Sequence, residues 1–233
     1  MNPTAAKPQR RALGEWAVGS LYDRIFTGEL PVGADLAEET LCQTLDVSRA
    51  TVSFALRQLE QDGMITVAAG NGKRQVRGFS REDLADLYDV RIVLEGFAAE
   101  RAAPRMTGAA MAELETLQDE MDALSRRPDR PSTRDFGADF AFHRVIALAS
   151  GSKRALAALQ PIWNQTHALL RHLYSIGAYA DLQEDAASYD DHRAIIAALA
   201  AGDPGLAREC MVRHLTRRRD ALIRSVTERG GLG

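Results

Sequence analysis

The sequence predicts a mainly α-helical protein in two parts. An N-terminal winged helix-turn-helix with a small β-hairpin spans about residues 10–78, and an all-α antiparallel helical bundle spans 79–230. Three observations carry this. Leu36 to Gly63 reads as two short amphipathic helices hinged at Asp46-Val47-Ser48. A glycine-tipped hairpin follows it. From Ser80 onward apolar residues recur at three-four spacing, with no convincing strand and breaks only at proline or glycine.

Taken in order, Gly19 to Phe26 is an apolar-periodic helix carrying Leu21, Ile25 and Phe26, preceded by a polar arm with Lys7, Arg10 and Arg11 that is expected to be disordered. Gly28 to Gly33 is a breaker-rich loop. The first helix of the hairpin buries Leu36, Leu41 and Leu45. Ser48 is the N-cap of the second, whose Val52, Leu56 and Leu59 form a stripe at i, i+4, i+7 that Gly63 stops. The opposite face presents Arg49, Ala50, Ser53 and Arg57, where short residues allow close approach to a major groove and arginines supply phosphate or guanine contacts. A helical hairpin with no nucleic-acid role has the same spacing. Met64 to Val67 and a strand ending at Val76, around Gly70-Asn71-Gly72 and tipped by Lys73 and Arg74, complete a wing and favour DNA binding.

Ser80-Arg81-Glu82-Asp83 is a capping-box-like start to the second part. Helices are expected at 81–103, 108–125, 133–150, 153–176, 182–201 and 204–228, with breaks at Pro104, Pro128 to Pro131, Gly151-Ser152, Gly177 and Gly202-Asp203-Pro204. Alanine-rich faces with Leu and Ile at one-turn spacing suit a close-packed bundle.

Composition bounds the reading. Residues 1–80 carry nine Lys/Arg and nine Asp/Glu, so the DNA-binding half is neutral and its affinity must come from local placement of cations and from dimerisation. Two cysteines, Cys42 and Cys210, lie in different parts, which argues against a disulfide framework and for a reducing cytoplasm. No run reaches the length of a membrane span or a signal-peptide core. A soluble, cytoplasmic protein is expected.

One constellation in the bundle carries chemistry. Asp139 and His143 stand at i, i+4 on one apolar stripe, while His192 and His214 share apolar faces of two other helices. Buried polar groups need partners, so these four either satisfy one another by hydrogen bonds or converge on a divalent metal. Spacing alone leaves both open. Arg91, one turn before Glu95, is spaced for an internal salt bridge with it. His167 and His172 read as partner-face or surface residues.

The segment from Gly28 to Gly63 resembles the GntR family of bacterial transcription regulators: Leu36, Glu38, Leu41, Ser48 and Arg49 match its pattern. The match departs at Ala50-Thr51-Val52-Ser53-Phe54, where Ser53 replaces a frequent DNA-contacting arginine. The second part resembles the FCD ligand-binding domain of the family's FadR branch, in its six-helix version, through Asp89 to Glu95 with Ala98-Ala99, Asp139 to Arg144, Asp191 to Arg193 and Arg213 to Leu215. The resemblance implies that Asp139, His143, His192 and His214 bind a metal, zinc first and nickel or manganese as alternatives. It also implies a small organic acid effector, for which Arg91 is a candidate to neutralise a carboxylate, the salt bridge with Glu95 being an equal alternative, and Asn164 and Arg171 are candidates for lining the same cavity.

The expected function is a metabolite-responsive DNA-binding regulator, a repressor acting as a homodimer on a palindromic operator, and not an enzyme. The alternatives are a metal-sensing regulator and, with less support, a metal-dependent hydrolase. The hydrolase lacks a HExxH-like general base beside the ligands and leaves the helix-turn-helix unexplained.

Overall fold

The computed structural model describes residues 10–68, 72–125, 135–175 and 186–228. The chain divides into two compact units, residues 1–78 and 79–233.

In the first unit, α1 (Arg10–Phe26) buries Ala17, Leu21 and Ile25 along one stripe and packs on α3 (Arg49–Gln61). Between them, α2 (Glu38–Leu45) buries Leu41 and Leu45 and ends at Asp46, whose left-handed conformation (φ 50°) makes the sharp turn into α3. Ser48 caps α3, its hydroxyl accepting from the Thr51 amide at 3.3 Å. Val52, Leu56 and Leu59 are fully buried, as their spacing predicts. The wing pairs β1 (Ile65–Val67) antiparallel with β2 (Arg74–Val76), Ile65 opposite Val76. Its free edge is covered: the Gly33 amide donates to the Val76 carbonyl and the Leu36 amide to the Arg74 carbonyl.

Two expectations change here. Leu36 is buried but precedes α2, in the extended stretch along the wing, because its amide is engaged by β2. Helix α1 begins at Arg10, so Arg10 and Arg11 are not in a disordered arm; Lys7 lies outside the described residues. Gly14, within that extension, is a contact point, since a Cβ there would sit 3.0 Å from Cδ1 of Phe54 on α3. Phe54, in the run that departs from the family pattern, thus packs on α1.

The second unit contains six helices among its described residues: α4 (Arg81–Ala102), α5 (Gly108–Ser125), α6 (Asp135–Ala149), α7 (Lys153–Ser175), α8 (Ala186–Ala200) and α9 (Pro204–Glu228). The Ser80 hydroxyl accepts from the Asp83 amide (3.0 Å) and the Asp83 carboxylate from the Ser80 amide (2.8 Å), the reciprocal cap the sequence predicts. Helix α4 is the centre of the bundle, packed against α6, α7 and most extensively α9. Gly96 permits that approach, because a Cβ there would meet Val212 of α9 at 2.9 Å. The breaks expected at Pro128 to Pro131 and at Gly177, and the turn residues Gly70 and Asn71, lie outside the described residues.

Candidate functional site

Helix periodicity places Asp139 and His143 on the inner face of α6, one turn apart, and three further helices bring their partners: His192 from α8, His214 from α9, and Arg91 and Glu95 from α4. All three histidines are buried and Asp139 is partly exposed. His192 Nε2 lies 3.2 Å from His214 Nε2 and 3.5 Å from Asp139 Oδ1, and His143 Nε2 lies 3.9 Å from the same oxygen. The four ligand atoms all fall within 4.8 Å of one another. Donors bound to one ion at about 2.1 Å stand no more than about 4.2 Å apart. The set fits after side-chain shifts of a few tenths of an ångström.

His143 shows how the set is prepared. Its Nδ1 lies 2.6 Å from Glu95 Oε2 and its Nε2 lies on the Asp139 side. Among the described residues that Nε2, like Nδ1, is buried without a hydrogen-bond partner in good geometry. A hydrogen-bonded network would have to satisfy it; a cation does so directly. Glu95 is itself fixed by two donors, Arg91 Nε at 2.6 Å and the Trp163 indole Nε1 at 2.9 Å.

The electrostatics follow from burial and pairing. Burial works to raise the Glu95 pKa, but the Arg91 charge and His143 outweigh it and hold the carboxyl at about 2. Burial alone would lower the Arg91 value, and Glu95 reverses that, so the guanidinium stays charged. Asp139 is kept ionised by His143 and His192 against its desolvation. His192 is pushed down to about 4, first by burial, and His214 well below its usual value for the same reason. His192 and His214 are therefore neutral at physiological pH, the form that binds metal. Arg91 Nη2 is buried without a hydrogen-bond partner, while its guanidinium lies over the Tyr88 ring (4.9 Å) and near the Phe140 ring (5.8 Å).

On the first unit, Arg49, Ala50 and Arg57 are exposed on one face of α3, with Ser53 partly exposed between them. Ser53 accepts a hydrogen bond from Arg57 Nη1 at 2.8 Å. Arg49 Nε contacts Glu38 Oε2 at 2.9 Å, Arg74 Nη1 contacts Glu38 Oε1 at 3.3 Å, and Lys73 Nζ contacts Asp35 Oδ2 at 3.1 Å.

Comparison with known proteins settles the family. The FCD domain profile matches residues 86–217, more than half of the chain, and that of the bacterial regulatory proteins of the gntR family matches residues 13–74. The chain belongs to the GntR family and carries an FCD domain. It is 31% identical over 219 residues to the HTH-type transcriptional regulator LutR of Bacillus subtilis (strain 168), covering 85% of this chain and 95% of that one. It is 28% identical over 216 residues to a protein of Paenarthrobacter nicotinovorans named "Probable D-xylose utilization operon transcriptional repressor", covering 92% and 91%. A solved GntR regulator from Rhodococcus sp. RHA1 has the same fold, with a TM-score of 0.73 at 27% identity, covering 91% and 97%.

GntR proteins are transcription regulators and not enzymes, so the hydrolase reading is set aside. Within this FCD domain the sequence had left Arg91 between two roles. The ion pair with Glu95 is present, and it uses only part of the guanidinium. Asn164 is half-buried and accepts from Gln160 at 3.3 Å, and Arg171 is half-buried. His167 does not read as the sequence proposed: it is half-buried and stacks on Phe140 at 5.0 Å, beside Asp139. Burial, then Arg171, lowers its pKa to about 4. Nothing in the spacing singled out Trp163 or tied Glu95 to His143. Both contacts join residues far apart in the chain, and only the i, i+4 pair of Arg91 and Glu95 was readable.

Proposed function

We propose that this GntR regulator is a homodimeric, cytoplasmic repressor. Its winged helices read a palindromic operator through Arg49, Ala50, Ser53, Arg57, Lys73 and Arg74, and its FCD domain senses a small organic acid. The observation that carries the reading is the buried convergence of Asp139, His143, His192 and His214 beside an arginine with a donor to spare. Three imidazoles and one carboxylate suit zinc, with nickel or manganese as alternatives. When bound, such an ion offers open coordination positions to the oxygens of a carboxylate. The chain's own residues do the rest: Arg91 neutralises the acid, Glu95 orients His143, and Asn164 and Arg171 line the site.

A dimer surface is available on α4, where Val90, Val93 and Phe97 are exposed at one-turn spacing. Asp86 and Arg101 lie toward opposite ends of that stripe, so two copies related by a two-fold axis would pair unlike charges across it. Repression is supported by the name of the Paenarthrobacter relative, a transcriptional repressor.

The test is a thermal-shift screen of the purified dimer with small hydroxy- and dicarboxylates, run metal-loaded and after chelation. Stabilisation by a carboxylate only in the loaded protein supports the reading. Stabilisation by metal alone, with no carboxylate response, replaces it with a metal sensor.

A further inference from the structure

Glu38 is the first residue of α2, and its two carboxylate oxygens serve different elements. Oε2 accepts from Arg49 Nε of the recognition helix at 2.9 Å, and Oε1 accepts from Arg74 Nη1 of the wing at 3.3 Å. Arg74 Nε in turn lies 3.5 Å from Glu60 Oε2 on α3. One acidic side chain, 22% exposed, thus ties the start of the recognition helix to the wing.

The way Arg49 is held matters more than the fact of the pair. Its side chain is 84% exposed and engages Glu38 through Nε, which leaves the two terminal nitrogens to point their parallel donors elsewhere. Those two nitrogens are the fork that reads O6 and N7 of guanine in a major groove. An unheld arginine must give up several side-chain torsions on making that contact; one pinned at Nε has already given up part of them. Arg57, on the same face, donates to the neutral Ser53 hydroxyl. The Glu38 charge has a second effect. It sits beside the two cations that meet DNA, so it weakens attraction to any phosphate backbone, whatever the sequence.

We infer that Glu38 is a specificity-determining residue of this regulator: it positions Arg49 for a base-edge contact and Arg74 for the backbone, and lowers affinity for unrelated DNA. The inference rests on the winged helix-turn-helix being the DNA-reading element. Its contribution to folding is expected to be small, because Arg49 is 84% exposed and ion pairs open to solvent on one side contribute little.

The experiment uses the full-length protein and two probes: the duplex that wild type enriches from a randomised library, and the same duplex scrambled. Binding of both is titrated for wild type, Glu38→Gln and Glu38→Ala, with melting temperatures alongside. Both variants are expected to lose at least about fivefold in the ratio of scrambled to enriched dissociation constants. The scrambled duplex should bind as well as before or more tightly, and the melting temperature should hold. If both duplexes tighten by the same factor, Glu38 is only an electrostatic brake and the inference falls. It falls equally if both weaken alike with a lowered melting temperature, the mark of a structural role. If wild type enriches no common sequence, the DNA-reading assignment itself fails, an outcome distinct from a flat ratio in the variants.

Discussion

Removing Glu95 should strike the FCD domain harder than any other single substitution at the site. The Arg91 and Glu95 side chains are each only 2% exposed, and the carboxylate also receives the Trp163 indole and faces His143 Nδ1. In Glu95→Ala the guanidinium is left charged and without its counter-ion, which costs about 3–5 kcal/mol when a buried pair is broken from one side. The orphaned indole N–H adds roughly 1 kcal/mol. Against a total stability on the order of 5–15 kcal/mol, this is a large fraction. At about 2–4 °C per kcal/mol for a chain of this size, the melting temperature should fall by roughly 10–20 °C. Differential scanning calorimetry on chelated protein reads this without a contribution from metal. Near-ultraviolet circular dichroism, dominated by the aromatic residues of the helical unit, separates its transition from that of the winged helix. The double variant Arg91→Met/Glu95→Gln removes both charges but keeps an acceptor for Trp163, and should recover a large part of the loss. A fall of less than about 3 °C in Glu95→Ala, or a double variant no more stable than Glu95→Gln alone, would refute the reasoning that an unpaired buried charge sets the cost.

Further expectations follow from the same geometry. Arg49→Ala should weaken the enriched duplex by about 1–3 kcal/mol per half-site with helical content and dimer size unchanged; an unaltered affinity in a fluorescence-anisotropy titration would remove Arg49 from the interface. Elemental analysis should find about one divalent metal per chain, and His192→Ala should lose it while Glu95→Gln lowers metal affinity roughly 10–100-fold. Metal-free wild type should lose stability on acidification in two windows. His192 has a folded pKa near 4 against an ordinary 6.5, so between those values the unfolded chain binds more protons, and this contribution drains away as pH falls from 6.5 toward 4. Glu95, held at about 2 against 4.5, contributes fully above pH 4.5 and is lost as pH falls toward 2. Denaturant midpoints that stay flat from pH 7 to 4.5 would contradict the buried, neutral state assigned to His192.

What could be read from the sequence was whatever is local. The Ser48 cap, the Val52, Leu56 and Leu59 stripe and the Ser80-Asp83 capping box are each written within one or two helical turns, and each appears in the structure. The i, i+4 pairing of Asp139 with His143, and the apolar faces of His192 and His214, marked the four side chains that converge. Their convergence was not in the spacing, because it depends on how α6, α8 and α9 pack around α4. Contacts between distant positions left no sequence signal at all. Glu38 meets partners 11 and 36 residues away, and Glu95 meets Trp163 across 68. His167 was misread because one face of a long helix shows which residues align but not which ring they stack on.

The central claim is that a small acid bound in the FCD domain changes how the winged helices hold DNA. It is tested most directly by titrating the enriched duplex with metal-loaded protein, with and without each carboxylate that raises the melting temperature. At least one such acid should change the dissociation constant by about fivefold or more, and the change should vanish in both Arg91→Ala and His143→Ala. A carboxylate that stabilises the protein through those two residues yet leaves DNA affinity untouched would contradict the account.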